Sequence, residues 1–405
     1  MASTAQSGAE RRTGSGMRSF DAAERRARLV RRHGLDPGER AADVVEAARR
    51  MVCLHATDPA TVYLSAWARV EGMRIADLED ALYEQRALVK HLAMRRTLFV
   101  FPRELLPAAQ AGASDRVAGA ERRRLIGQVE KAELHVDGER WLEGAGAKVL
   151  AALAGGREAT STELREEIAA LEGAISFGGG KKWGGDTPVG PRVLTTLAAA
   201  GRVLRASNDG RWTTSRPRWA AADAWLGERL EPMATDAGVR ALVEAWLRAF
   251  GPGTEIDIKW WLGSTLKAVR TALAELEAVE VELDDAGRGY VLADDLEPTE
   301  PTKGSVALLP GLDPTTMGWI ERDWYLGPHR EHLFDRNGNA GPTAWLDGRV
   351  VGGWRQGPDC QVELQLLERL PGAARRELEA EAARFGEWLD GTRVAPRFPS
   401  PLFKA

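Results

Sequence analysis

One order of short elements recurs along this chain, and that recurrence constrains its fold more than any other feature. The clearest copy begins with a helix over Val239–Phe250 that ends at Gly251–Pro252, where proline cannot continue it. TEIDIKWWLG follows as a short helix that stops at Gly263. Leu266, Val269, Leu273 and Leu276 then share one face of a third helix. Ser264 or Thr265 can cap it, because a hydroxyl there satisfies an orphan backbone N–H. VEVELDD and YVLADD read as strands joined by a turn at Asp285–Gly289. Three helices, a strand, a turn and a strand make the order of a winged helix.

The same order appears twice upstream. Ala159–Ile168 reads as a capped helix and Pro191–Ala200 as another, with a Gly/Lys-rich loop between them. RVLRAS and RWTTS are expected strands around Asn208-Asp209-Gly210, residues that tolerate the backbone of a tight hairpin. A looser copy has helices over Ala41–Leu54, Ala60–Ala68 and Ile75–Tyr83, with strands near Leu88–Leu92 and Thr97–Phe101. After Pro301 the pattern changes to short strands at Val306–Leu309, Ala344–Asp347, Arg349–Trp354 and Gln361–Leu366, then a helix over Ala373–Leu389.

The expected fold is therefore α+β and mainly helical: three tandem winged-helix units and a C-terminal β-barrel-like module. The boundaries read as a disordered tail over 1–24, a first unit over 25–102 and connecting helices over 103–153. The second unit takes 154–220, the third 221–300, and the C-terminal module 301–405.

Composition narrows the function classes. No run approaches 18 apolar residues, so no membrane span is expected, and the polar first twenty residues carry no secretory signal. Cys53 and Cys360 cannot form a disulfide framework, which suggests a reducing cytoplasm. The formal net charge is -4, but it is unevenly spread. Residues 1–220 hold seven more basic than acidic residues, and 221–405 hold eleven more acidic than basic. A basic front and an acidic back suit a face turned toward a polyanion.

Several stretches together resemble a known family: CLHATDPATVYLSAWARV (53–70), LVKHLAMRRTLFVFP (88–102), GGGKKWGG (178–185), RAFGPGTEID (248–257), LPGLDPTTMGW (309–319), NGNAGPTAWLDGRVVGGW (337–354) and PRFPSPL (396–402). The chain is similar to the bacterial winged-helix DNA glycosylases of the AlkZ and YcaQ type, which release alkylated and crosslinked purines. The resemblance implies three winged helices and a β-barrel arranged around duplex DNA; a monomer without a cofactor is expected. The family places Gln-apolar-Gln or Gln-apolar-Asp just before Asp-Pro. Here His55-Ala56-Thr57 precedes Asp58-Pro59.

That alignment makes His55, Thr57 and Asp58 the candidate catalytic group. A purine alkylated at N7 or N3 is already cationic and leaves without a general acid, so the protein needs chiefly to place a water. An imidazole with its usual pKa could serve as base, Thr57 could hold the water, and Asp58 could face the sugar cation. Asp58 before Pro59 is also the signature of a helix N-cap, and His55 would close the helix begun at Ala41. Candidate DNA contacts are Arg95 and Arg96 between strands, Lys181 and Lys182 in the Gly-rich loop, and Arg192, Arg202 and Arg211 in the second unit. His329-x-x-His332 near Asp335 has the spacing of metal ligands but no helix or cysteine partner, so no metal is expected. Trp260, Trp261, Trp345 and Trp354 are expected in the core. The alternative to an enzyme is a non-catalytic DNA-binding protein, or a transcription regulator, of the same architecture.

Overall fold

The computed structural model of the chain describes residues 17–177, 185–284 and 286–403. Strand β1 (Ser19–Phe20) and helix α1 (Ala22–Arg32) come first, so part of the stretch expected as a tail is structural. Phe20 is fully buried, with Arg18 and Arg28 guanidiniums over its ring.

Helix α2 (Val44–Arg50) is shorter than the sequence suggested. Asp43 caps it by accepting from Val45 and Glu46 N–H, which fixes the start, and Val52 in a left-handed conformation (φ 64°) prevents continuation. His55 is therefore not the end of a helix. It lies on strand β2 (Leu54–His55). Helices α3 (Pro59–Trp67) and α4 (Ile75–Glu79) follow, then strands β3 (Leu88–Ala93) and β4 (Thr97–Pro102). The three strands form an antiparallel sheet in the order β2-β4-β3, with Phe99 paired to both His55 and His91.

A short helix α5 (Leu106–Ala109) leads into the long helices α6 (Asp115–Lys131) and α7 (Gly138–Ala152). Helix α8 (Ser161–Glu167) starts at a reciprocal cap in which Thr160 and Glu163 satisfy each other's backbone N–H groups. Strands β5 (Ala174–Phe177) and β6 (Gly185–Pro188) then pair as a hairpin that the sequence reading missed. Helix α9 (Gly190–Ala199) and the pair β7 (Val203–Asn208) and β8 (Pro217–Ala221) complete this region. RWTTS is loop rather than strand. Asn208 pins the loop by donating to the Gly210 and Thr214 carbonyls and accepting from Arg216 N–H. Trp212 turns inward, 5.3 Å from the Tyr63 ring and 5.7 Å from that of Trp388.

Helix α10 (Ala222–Leu226) precedes α11 (Thr235–Phe250), α12 (Glu255–Leu262) and α13 (Leu266–Glu275), then strands β9 (Val279–Leu283) and β10 (Gly287–Val291). Thr265 caps α13 through Ala268 N–H, as expected. Strand β1 joins this sheet beside β9 in parallel register.

The last module is not a closed barrel. Strand β11 (Val306–Leu309) is followed by three short helices, α14 (Pro314–Met317), α15 (Asp323–Leu326) and α16 (Arg330–Leu333). Strands β12 (Thr343–Leu346), β13 (Arg349–Gln356) and β14 (Val362–Leu366) complete an open four-stranded antiparallel sheet in sequential order. Helix α17 (Gly372–Leu389) packs on it, and the Trp345 and Trp354 side chains fill the core. The whole is a mixed, mainly helical fold, and none of its helices is long and apolar enough to cross a membrane among the described residues.

Candidate functional site

His55, Phe99 and His91 lie side by side across the first sheet, which puts their side chains on one face. The His55 ring meets Phe99 edge-on with centroids 5.3 Å apart. Its Nδ1 accepts from Thr57 N–H at 3.4 Å, which leaves the ring proton on Nε2. Burial, reinforced by the Arg95 cation, pushes its pKa down to about 3, with Asp313 pulling weakly the other way. His55 is thus uncharged near neutrality and a poor proton acceptor. That corrects the expectation of an imidazole poised near pH 7. The side chain remains half-buried, so one edge is reachable from solvent.

Thr57 is also half-buried, and its hydroxyl makes no hydrogen bond among the described residues. Asp58 sits one position on and caps α3, its Oδ1 accepting from Ala60 N–H at 3.2 Å. Its Oδ2 accepts from Arg397 N–H at 2.9 Å. Both carboxylate oxygens are therefore engaged with backbone. The Arg397 guanidinium reaches the Thr57 carbonyl at 3.4 Å. The PRFPSPL segment, noted in the sequence only as a landmark, thus borders the group.

Behind it lies a buried network. Asp313 accepts from Arg69 at 2.7 and 2.9 Å, from Ser65 at 2.7 Å and from Thr315 N–H at 2.9 Å. Arg69 also donates to the Thr315 hydroxyl, which bonds His33 Nδ1 at 2.9 Å. Sequence reading missed these residues, although Asp313-Pro314 repeats the Asp-Pro cap signal of Asp58-Pro59.

The structure brings some of the candidate cations together. Arg95 and Arg96 stand at the turn between β3 and β4, both exposed and both left-handed, with φ of 53° and 62°. Arg96 pairs with Glu121 at 3.0 Å, and Arg124 lies 3.9 Å from the same carboxylate. Arg192 on α9 feels Arg124 and Arg96, donates to Gln128 at 2.7 Å, and leaves its buried Nε without a partner. Arg96, Arg124 and Arg192 thus form one cluster around a single carboxylate. Arg124 escaped the sequence reading, although the run Arg122-Arg123-Arg124 marks it. Arg202 and Arg211 are exposed and make no ion pair among the described residues. Lys181 and Lys182 lie outside the described residues; the strands that flank them, β5 and β6, form a hairpin rather than a plain inter-helix loop.

A cleft of about 730 Å³ contains none of these candidates. Arg31, Arg32, Arg49, Arg50 and Arg248 line it, but they belong to the last turns of α1, α2 and α11. Cations there answer the negative helix ends, and Asp295, Glu104, Glu46 and Asp294 pair four of them. No group of three or more His, Cys, Asp or Glu side chains gathers to hold a metal among the described residues. His329 instead bonds Glu368 at 2.9 Å.

The family model described as DNA glycosylase AlkZ-like matches residues 48–388. The solved structure of Streptomyces sahachiroi DNA glycosylase AlkZ is 20% identical, with a TM-score of 0.71 over 94% of this chain and 99% of that one. Comparison with curated proteins gives no significant match.

Proposed function

Because the chain belongs to the AlkZ-like DNA glycosylase family, we propose that it binds duplex DNA and hydrolyses the N-glycosidic bond of purines made cationic by alkylation. In this reading the three helical regions with β-sheet wings are winged helices, and the protein repairs alkylation damage in the cytoplasm as a monomer. Free Cys53 and Cys360 suit that reducing compartment. The DNA lies along Arg95, Arg96, Arg124 and Arg192, with Lys181, Lys182, Arg202 and Arg211 as outer phosphate contacts.

The observation that carries the reading is the pairing of an uncharged, half-buried His55 with an open Thr57 hydroxyl two residues on. A cationic purine departs without a proton from the protein, so the remaining task is to hold a water against C1′. An imidazole this hard to protonate acts as a neutral polar hydrogen-bonding group, the same character as the glutamine amide it replaces. Thr57 orients the water from the other side. Asp58 holds the start of α3 in place and lends its negative charge at a distance.

The test is release of N7-methylguanine from duplex DNA, read as abasic sites above the spontaneous rate. His55→Ala should lose about a hundredfold, the scale on which lost positioning is felt. His55→Gln should keep most of the activity, because a neutral amide can do the same positioning, and Thr57→Val should lose less than His55→Ala. A His55→Gln protein as inactive as His55→Ala would remove the orienting role. Wild-type protein that binds alkylated duplex and leaves every base in place would establish the non-catalytic alternative.

A further inference from the structure

Two guanidiniums, Arg95 and Arg322, share the ring of Trp260, and neither makes an ion pair among the described residues. Arg95 makes no ion pair among the described residues, and its guanidinium carbon lies 4.1 Å from the centre of the Trp260 ring. Arg322 is only 3% exposed. Its guanidinium carbon lies 5.2 Å from the same Trp260 ring centre and 4.6 Å from that of Phe334. Among the described residues it makes one hydrogen bond, from Nη2 to the Trp319 carbonyl at 2.6 Å, and Nε and Nη1 are buried without partners. Elsewhere buried arginines are answered: Arg69 by Asp313 and Arg28 by Asp295. Asp257 and Asp323 act on Arg322 without forming an ion pair with it, and a buried cation with no direct partner is costly to keep.

The backbone adds a second, separate cost. Arg95 and Arg96 are consecutive left-handed residues, a conformation that side chains with a Cβ rarely adopt. Gly263, itself at φ 63°, makes room for them: a Cβ there would stand 2.8 Å from Arg95 Cγ. Trp260, expected as core, is instead half-buried beneath the arginine. Partial removal from water, with the Arg322 charge nearby, lowers the Arg95 pKa, and burial lowers that of Arg322. The left-handed turn, the room left at Gly263 and the shared Trp260 ring together hold one exposed guanidinium whose charge acts on His55. An anion docked on Arg95 supplies the direct ionic partner that these two guanidiniums lack.

We propose that Arg95, seated on Trp260 with Arg322 against the same ring, grips a single backbone phosphodiester of the strand whose base is attacked. Arg95 is the contact. Arg322 is a positioning residue, which acts through the ring and through its charge. The site rests on the reading of the protein as a DNA-binding member of its family, and it specifies which phosphate-sized anion is held next to the hydrolytic group.

The experiment uses the full chain and a set of duplexes around a stable abasic-site analogue. Each duplex carries one neutral methylphosphonate in place of one phosphate, and Kd is measured by fluorescence anisotropy. Wild-type protein should lose about tenfold at one phosphate near the analogue. In Arg95→Gln that phosphate should no longer matter, while the others keep their effect, and the salt slope should fall by roughly one. Arg322→Met should blunt the same single response, and Arg322→Lys should restore it. Arg95 is exposed, so its variant tests the proposal even where Arg322→Met fails to fold. An Arg95→Gln protein that still senses that phosphate overturns the proposal, as does a wild type indifferent to every single replacement. Absence of any duplex binding overturns it together with the DNA-binding reading. Because no base is released from the analogue, a protein that fails the N7-methylguanine assay but shows the Arg95-dependent response overturns hydrolysis alone.

Discussion

His33, His55 and His91 are each held uncharged, and in each the first cause is removal of the ring from water. Their pKa values fall from 6.5 to about 3, 3 and 4. The sign follows from where the protons go. Between those values and 6.5 the unfolded chain binds protons that the folded chain refuses, so acid favours unfolding. Stability should therefore fall as pH drops below about 6.5 and continue falling to about 4, at roughly 1.4 kcal/mol per pH unit for each fully buried ring. Urea denaturation at pH 7.5, 6.5, 5.5 and 4.5 measures this. His91→Gln, which can still meet Ser114, should lose less on acidification than the wild type. Equal losses would mean that the His91 ring is not a source of acid sensitivity. The position of His55 was legible in the sequence, because Asp58-Pro59 fixes the alignment beside it. Its chemistry was not, because Phe99 and Arg95, which set it, lie some forty residues further along.

At the scale of elements, local signals were read correctly wherever a side chain serves its own turn of chain. The Thr265 cap of α13 and the hydrophobic face behind it are of this kind, and so is the hairpin of β9 and β10. RWTTS was misread because an alternating pattern cannot reveal that Trp212 is drawn toward Tyr63 and Trp388, more than 140 residues away in either direction. Helix ends offer a controlled test of the arginine turn. Gly227 and Gly263 both close helices in the left-handed conformation, at φ 73° and 63°. Gly227 has nothing within 4 Å of a built Cβ, whereas Gly263 has Arg95. Gly227→Ala should cost about 1–2 kcal/mol in denaturation experiments from backbone strain, and Gly263→Ala at least as much, because Arg95 must also shift. Only Gly263→Ala should also weaken binding to duplex. Equal affinity in the two variants would show that the position of Arg95 is indifferent to the glycine.

Across the whole molecule, the tandem order was written in the periodicity, but the joints between regions were not. Ser65 and Arg69 at the end of α3 meet Asp313 beside β11 across about 245 positions, and no local pattern announces such a meeting. Arg69→Met should cost about 3–5 kcal/mol, because it strands a fully buried carboxylate. Adding Asp313→Asn should recover part of that loss, since no unanswered charge remains and the amide oxygen still caps α14. Costs that simply add in urea denaturation would remove the charge argument. The sheet shared by β1 and β9 bears on how the protein comes into being. Ser19 and Phe20 emerge from the ribosome long before Glu282 and Leu283, the residues they pair with, have been translated. Phe20 therefore waits, with its ring still in water, while some 260 further residues are made. Closing so long a loop costs only modestly more entropy than closing a short one, yet it cannot begin until translation has passed β9. The first strand among the described residues is thus among the last to find its place.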